Sequence, residues 1–193
     1  MIGVRRYSAP EVDIREALRY AKCPTPDVQT EKRIRELSLL CEGELDFAVS
    51  YTVLDVCING DVCDMGGLSV LSKSLCGQLS KCKKVIVFAA TVGAKIDRLI
   101  TKYEAKSARD ALLIDAIGTE RIEALCDAFC KNLSEEYGTL TPRFSPGYGD
   151  LPLDIQRSVF RFLEPERKIG LTLSESLIMC PSKSVTAFVG ILD

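Results

Sequence analysis

The sequence predicts an α+β fold: a single domain over residues 1–193, with a mixed or antiparallel sheet and one long central helix. Three observations carry this expectation. Phe47, Val49, Tyr51 and Val53 alternate with smaller or polar residues between Asp46 and Ile58, the period of a half-covered strand. Lys84-Val85-Ile86-Val87-Phe88-Ala89-Ala90 is a mostly apolar run, as in a central strand covered on both faces. From Ser107 a helical pattern continues to about Tyr137, apolar nearly all round over Ala111–Ile117 and amphipathic after Gly118. The elements do not alternate regularly enough for a doubly wound parallel sheet.

The remaining elements follow in order. Ser8-Ala9-Pro10-Glu11 reads as a capping-box start for a helix to about Ala21. Cys23-Pro24-Thr25-Pro26 breaks it, and Thr25-Pro26 opens a second helix to about Leu40, so residues 1–42 read as a helical N-terminal element within the domain. Asn59-Gly60 signals a hairpin, with Val62–Met65 returning as a short strand. Leu71, Leu75 and Leu79 recur at helical spacing, and Lys81-Cys82-Lys83-Lys84 then reads as the solvated end of that helix. Thr91-Val92-Gly93 turns the central strand into a helix through Ile100. Pro152 starts a helix carrying Ile155, Val159, Phe162 and Leu163 on one face, and Leu171–Glu175 and Ser184–Ile191 read as strands.

Composition narrows the function. Of 193 residues, 47% are hydrophobic, enough for one sizeable core, and 25 basic against 27 acidic residues leave a net charge of -2. Without a concentrated basic face, nucleic acid is not the expected partner. The N-terminus lacks the apolar run of a signal peptide, and no stretch of ~18 apolar residues exists to span a bilayer, so a cytoplasmic, membrane-free protein is expected. The nine cysteines include no CxxC pair, and with no histidine to complete a metal site they read as reduced thiols acting as small hydrophobes. The lack of histidine also excludes Ser-His and Cys-His nucleophile pairs.

One stretch concentrates unusual chemistry: RFSPGYGDLP, Arg143 to Pro152. Arg143 offers a permanently charged planar fork suited to a carboxylate or phosphate. Pro142 and Pro146 stiffen the backbone, Gly147 and Gly149 permit close approach, and Tyr148 supplies a ring and a hydroxyl. The set suits a rigid wall for a small ligand with a carboxylate and a flat ring, and it suits a solvated turn equally well. Glu120, Glu123 and Asp127, spaced three and four apart, share one face of the preceding helix, either solvated or pointing at a ligand amine or hydroxyl. Asp150 reads as an initiator of the following helix. Neither GxGxxG nor GxxxxGK[ST] is present.

RFSPGYGDLP resembles the Arg-x-x-Pro-Gly-Tyr signature of the activation domain of cobalamin-dependent methionine synthase. LTLSESLIMCPSKSVTAFVGI, Leu171 to Ile191, is similar to that family's continuation, and CDAFCKNLSEEYG, Cys126 to Gly138, matches more weakly. The resemblance implies S-adenosylmethionine binding, with Arg143 on the methionine carboxylate. It places the loop around Ser145, Pro146 and Gly147, with Tyr148, on the adenosine side, and Asp127 at the family's acidic contact. It further implies reductive methylation of cob(II)alamin to methylcobalamin, with electrons from a flavodoxin-like donor. The chain carries no cobalamin module, so the partner implied is a separate cobalamin-binding methionine synthase or another corrinoid protein. The alternative is a docking or regulatory protein that keeps the fold without the ligand. The family's N-terminal acidic contact has no assigned position in this sequence.

Overall fold

The structure, a computed structural model, describes residues 1–23 and 25–192. Its first half runs β1 (Gly3–Tyr7), α1 (Ile14–Tyr20), α2 (Val28–Glu42), β2 (Phe47–Asp55), β3 (Cys57–Asn59), β4 (Val62–Asp64), β5 (Ser69–Leu71), α3 (Lys73–Leu79) and β6 (Cys82–Thr91). The second half runs α4 (Lys95–Glu104), α5 (Ala108–Tyr137), α6 (Ile155–Leu163), α7 (Pro165–Ile169), β7 (Thr172–Leu173), β8 (Met179–Cys180) and β9 (Ser184–Leu192). This is the expected α+β arrangement, and the main sheet, in the order β1-β2-β6-β9, is antiparallel throughout.

Strand periodicity builds the layers. Phe47 and Val49 of β2, Ile86, Phe88 and Ala90 of β6, and Ala187 and Val189 of β9 enter one core with α1, α2, α4 and α5. Ala48, Val85, Val87, Ala89 and Phe188 face the opposite core, closed by α3, α6, α7 and the small sheet β3-β4-β5. Helices on one side and a mixed cap on the other cover both faces, which is why β6 reads as an unbroken apolar run. Phe129 of α5 stacks against Phe88 and Tyr51 at ring-centroid distances of 5.0 and 5.2 Å and so ties α5 to the sheet centre.

α5 occupies the range expected, with the Ser107 hydroxyl accepting the Asp110 N–H as its N-cap. Several local expectations are corrected. Residues 3–7 form strand β1 on the sheet edge, so the N-terminal element is not purely helical. The first helix begins at Ile14, where the Asp13 carboxylate accepts the N–H of Arg15 and Glu16, and Ser8-Ala9-Pro10-Glu11 is not its start. The reason lies in α5: Arg121 takes the Pro10 and Glu11 carbonyls, which holds that segment extended. The proposed break at Pro24 lies outside the described residues. Leu71 belongs to β5 and is exposed, so α3 starts two residues later. Cys82 to Lys84 open strand β6 and do not end a helix. Thr172–Leu173 is a two-residue strand, shorter than expected. No described helix is long and apolar enough to cross a membrane.

Candidate functional site

The RFSPGYGDLP loop is pinned from three directions. Before it, Thr141 N–H donates to Gly190, and Phe144 exchanges backbone hydrogen bonds with Phe188, so the chain runs beside β9 as an extra edge. Inside it, Tyr148 N–H donates to Ser145 C=O, Gly147 N–H to Leu151 C=O, and Leu151 N–H to Tyr148 C=O. Gly147 and Gly149 adopt φ of 92° and 55°, which side-chain-bearing residues rarely do. Beneath it, Asp150 caps α3: its carboxylate accepts the Ser72 hydroxyl at 2.6 Å and the Lys73 and Ser74 N–H at 2.8 and 3.1 Å. This corrects the expectation that Asp150 starts the following helix. α6 begins five residues later, and its N-cap Asp154 makes no side-chain capping bond.

Arg143 leaves this loop toward α5. Its Nη2 lies 2.9 Å from Glu123 Oε2 and 3.0 Å from Asp127 Oδ1, residues one helical turn apart. Both contacts use the same nitrogen, so Nη1 and Nε lie outside these carboxylate pairs. Burial works against the Arg143 charge, but the groups around it, the Glu123 and Asp127 carboxylates among them, more than offset it and raise its pKa. Cys126 sits under the guanidinium, and burial pushes its thiol up to about 12. It is a packing group, held neutral.

Two adjoining cavities meet at Arg143. One, of about 330 Å³, is lined by Glu123, Pro142, Arg143, Ser145, Tyr148 and Val185. The other, of about 450 Å³, carries Arg143, Glu123 and Asp127 on one side and Glu11, Asp13, Glu16 and Tyr20 on the other. The structure thus brings Arg143, Ser145, Tyr148 and Asp127 to one cleft. Pro146 is buried beneath the loop, and neither it nor Gly147 lines the two cavities. Tyr148 is largely exposed, with its ring edge-on to Phe144 at 6.5 Å. A third cavity, of about 570 Å³ and lined by Arg157, Arg161 and Arg167 among others, touches none of these residues.

The wall formed by Glu11, Asp13 and Glu16 was missed from sequence. It is held by a buried ion pair on α5: Glu120 receives Arg121 Nε at 2.5 Å and Nη2 at 2.6 Å, and accepts Asp13 N–H at 3.2 Å. Glu120 lines the same cavity as Glu123 and Asp127, but it is buried and engaged in this pairing and is not a solvated group. It is a buried clasp for the N-terminal segment. Asp13-Ile14-Arg15-Glu16 does carry a capping-box-like pattern, and that was the available signal.

In chemical terms the cleft pairs one cationic fork with carboxylates from two elements, beside an aromatic ring and a hydroxyl. This suits a zwitterionic ligand with additional positive charge. Among the described residues no cluster of three or more potential metal ligands forms.

Comparison with known proteins bears on the fold. The fold matches the crystal structure of the MetH reactivation domain bound to AdoHcy with a TM-score of 0.74, over 100% of this chain and 78% of that one, at 14% identity. The methionine synthase of Mycobacterium tuberculosis is 32% identical over 123 residues, covering 51% of this chain and 10% of that protein. The methionine synthase of Mycobacterium leprae is 28% identical over 144 residues, covering 62% of this chain and 12% of that protein. The matched region spans about a tenth of the length of these relatives. No family model matches the chain. The chain has the fold of the methionine synthase reactivation domain, and its sequence is similar to a short part of methionine synthases.

Proposed function

We propose that this protein binds S-adenosylmethionine in the cleft at Arg143 and supports reactivation of a cobalamin-dependent methionine synthase, acting in trans on a separate cobalamin protein. The observation that carries the reading is the position of Arg143: a loop of the activation-domain type sets it against Glu123 and Asp127, in a fold whose solved relative holds AdoHcy.

The residues fit the ligand. The N–H groups of Arg143 on Nη1 and Nε, which Glu123 and Asp127 leave unused, would donate to the methionine carboxylate. Glu123, Asp127 and the Glu11–Glu16 wall would face the ammonium and the sulfonium. Tyr148 and Ser145, over the rigid backbone at Pro146 and Gly147, would bound the nucleoside. When bound, S-adenosylmethionine supplies an activated methyl group. The acceptor in this reading is a reduced cobalamin, itself a strong nucleophile, so the chain needs no general base and its work is positioning. A flavodoxin-like protein would supply the electron.

The test mixes the protein with cob(II)alamin-loaded methionine synthase, a reductant and S-adenosylmethionine, and follows the methylcobalamin spectrum. Its appearance only when the protein is present supports the reading. If no methylcobalamin forms, and calorimetry finds no binding at millimolar S-adenosylmethionine with the corrinoid partner present, the reading is wrong. A second reading, docking without ligand, draws on the same ion pairs, since Glu123 and Asp127 already satisfy one nitrogen of Arg143. It requires a partner complex indifferent to Arg143→Ala and to S-adenosylmethionine.

A further inference from the structure

Two cysteines that the cleft does not use meet on the other side of the sheet. Cys63 is the central residue of β4 and Cys76 lies within α3. Both are buried, at 0% and 4% exposure. Their Sγ atoms are 2.8 Å apart, well inside the ~3.5–4 Å of ordinary contact between carbon atoms, although sulfur is the larger atom. Their surroundings, including Met65, Leu68, Val70, Leu75 and Leu79, are apolar. Two thiolates without a third ligand make a poor metal site, but two thiols brought this close from separate elements are one short movement from the ~2.05 Å of an S–S bond.

We propose that Cys63 and Cys76 form a disulfide that staples the three-stranded sheet β3-β4-β5 to α3. The two thiols are oxidised together and one Sγ–Sγ bond forms. Their two electrons and two protons pass to a low-molecular-weight disulfide, whose own S–S bond breaks to give two small thiols. Exchange begins at Cys76, the more open of the two, as a mixed disulfide that Cys63 then displaces. Burial, helped by the hydrogen bond to Cys76, pushes the Cys63 thiol up to about 12. In a reducing medium the pair therefore rests as hydrogen-bonded thiols, and oxidation requires β4 to open briefly from α3.

The staple reaches the RFSPGYGDLP loop through one intermediary. The first turn of α3 is capped by Asp150, and Gly149 packs so close to Ser74 that a Cβ there would lie 2.9 Å from its hydroxyl oxygen. Fixing α3 to the small sheet fixes the platform on which the loop rests. The proposal is independent of any ligand reading, since both cysteines lie outside the cleft.

The test uses the reduced full chain incubated with glutathione disulfide, quenched in acid, alkylated in denaturant and digested with trypsin plus an Asp-directed protease. Cleavage at Asp61 and Asp64 separates Cys63 from Cys57, and cleavage after Lys73 and Lys81 isolates Cys76. The expected result is a linked Cys63–Cys76 peptide, reversed by dithiothreitol, with loss of both alkylated forms. Cys76→Ser and Cys63→Ala should each abolish it, and the wild-type map decides the matter even where a variant fails to fold. Slower amide exchange over 72–79 and 143–152 after oxidation is the expected companion. Full alkylation of Cys63 and Cys76, with glutathione only on the exposed Cys57 and Cys180, would overturn the staple. A linked peptide with unchanged exchange over 143–152 would overturn its coupling to the loop.

Discussion

Asp150 and Ser72, 78 residues apart in sequence, share a 2.6 Å hydrogen bond that fastens the Arg143–Pro152 loop to the start of α3. That bond, with the Ser74 and Lys73 N–H donors, holds the Asp150 carboxyl down at about 2 against an ordinary 3.8. A depressed folded-state value stabilises fully above the unfolded pKa and is lost as pH falls through the folded one. Asp150→Asn should therefore lower the urea midpoint at neutral pH. The gap from the parent protein should close between about pH 4 and pH 2, and a gap constant across that range would contradict the assignment.

The Glu120–Arg121 pair predicts a large loss from a single truncation. Arg121 is 1% exposed, and among the described residues its hydrogen-bond partners are Glu120 and two backbone carbonyls. Glu120→Ala strands a buried guanidinium and should cost about 3–5 kcal/mol in chemical denaturation. Glu120→Gln keeps an acceptor and should cost less. In both variants amide exchange over residues 8–16 should quicken before the rest of the molecule responds.

Arg143→Ala should weaken S-adenosylmethionine binding roughly ten- to hundredfold, the effect of removing a charged hydrogen bond worth about 1.5–3 kcal/mol. Arg143→Lys should not restore it, because a compact ammonium engaged by Glu123 and Asp127 lacks the further planar N–H groups that the guanidinium keeps on Nη1 and Nε. Calorimetric titration of both variants reads this directly. Equal affinity in all three proteins would remove Arg143 from the site.

Phe129 predicts the stability of the sheet–helix interface. It is fully buried between Phe88 and Tyr51, with the Arg5 guanidinium 6.0 Å from its ring centroid. Phe129→Ala should cost about 3–5 kcal/mol, read as a lower urea midpoint at an unchanged fold by circular dichroism.

What the sequence disclosed, it disclosed where a local pattern and tertiary burial agree. α5 was legible from Ser107 to Tyr137 because its cap, its apolar stripe and its terminating Gly138 coincide. β9 and the Val85–Ala90 part of β6 were legible because both faces are covered and Val, Ile and Phe dominate them. β1 was not, because GVRRY lies on the sheet edge with alternate residues exposed, and Arg5 is held by Tyr51 and Glu136, far along the chain. Leu71 continued a leucine spacing into what is an exposed edge strand. A carboxylate in a loop announces that it caps something, not which helix, and Asp150 caps the one 76 to 78 residues earlier. In the cleft, the loop side was readable as a contiguous string. The facing wall depends on Glu120 and Arg121 reaching back to Pro10–Asp13, a pairing that no local window contains.

α5 is a rod of 30 residues, about 45 Å long. Along it are tethered Arg33 at Asp110, the segment before α1 at Glu120 and Arg121, the loop at Glu123 and Asp127, and the edge strand at Glu136. Both jaws of the cleft are thus bolted to one beam within two helical turns of each other. Such a mount resists hinge-like opening, so changes in the shape of the cleft fall to the swing of single side chains, Arg143 and Tyr148 first. The distance between the jaws is therefore a gauge set by α5, with β9 and α3 bracing the loop jaw from behind.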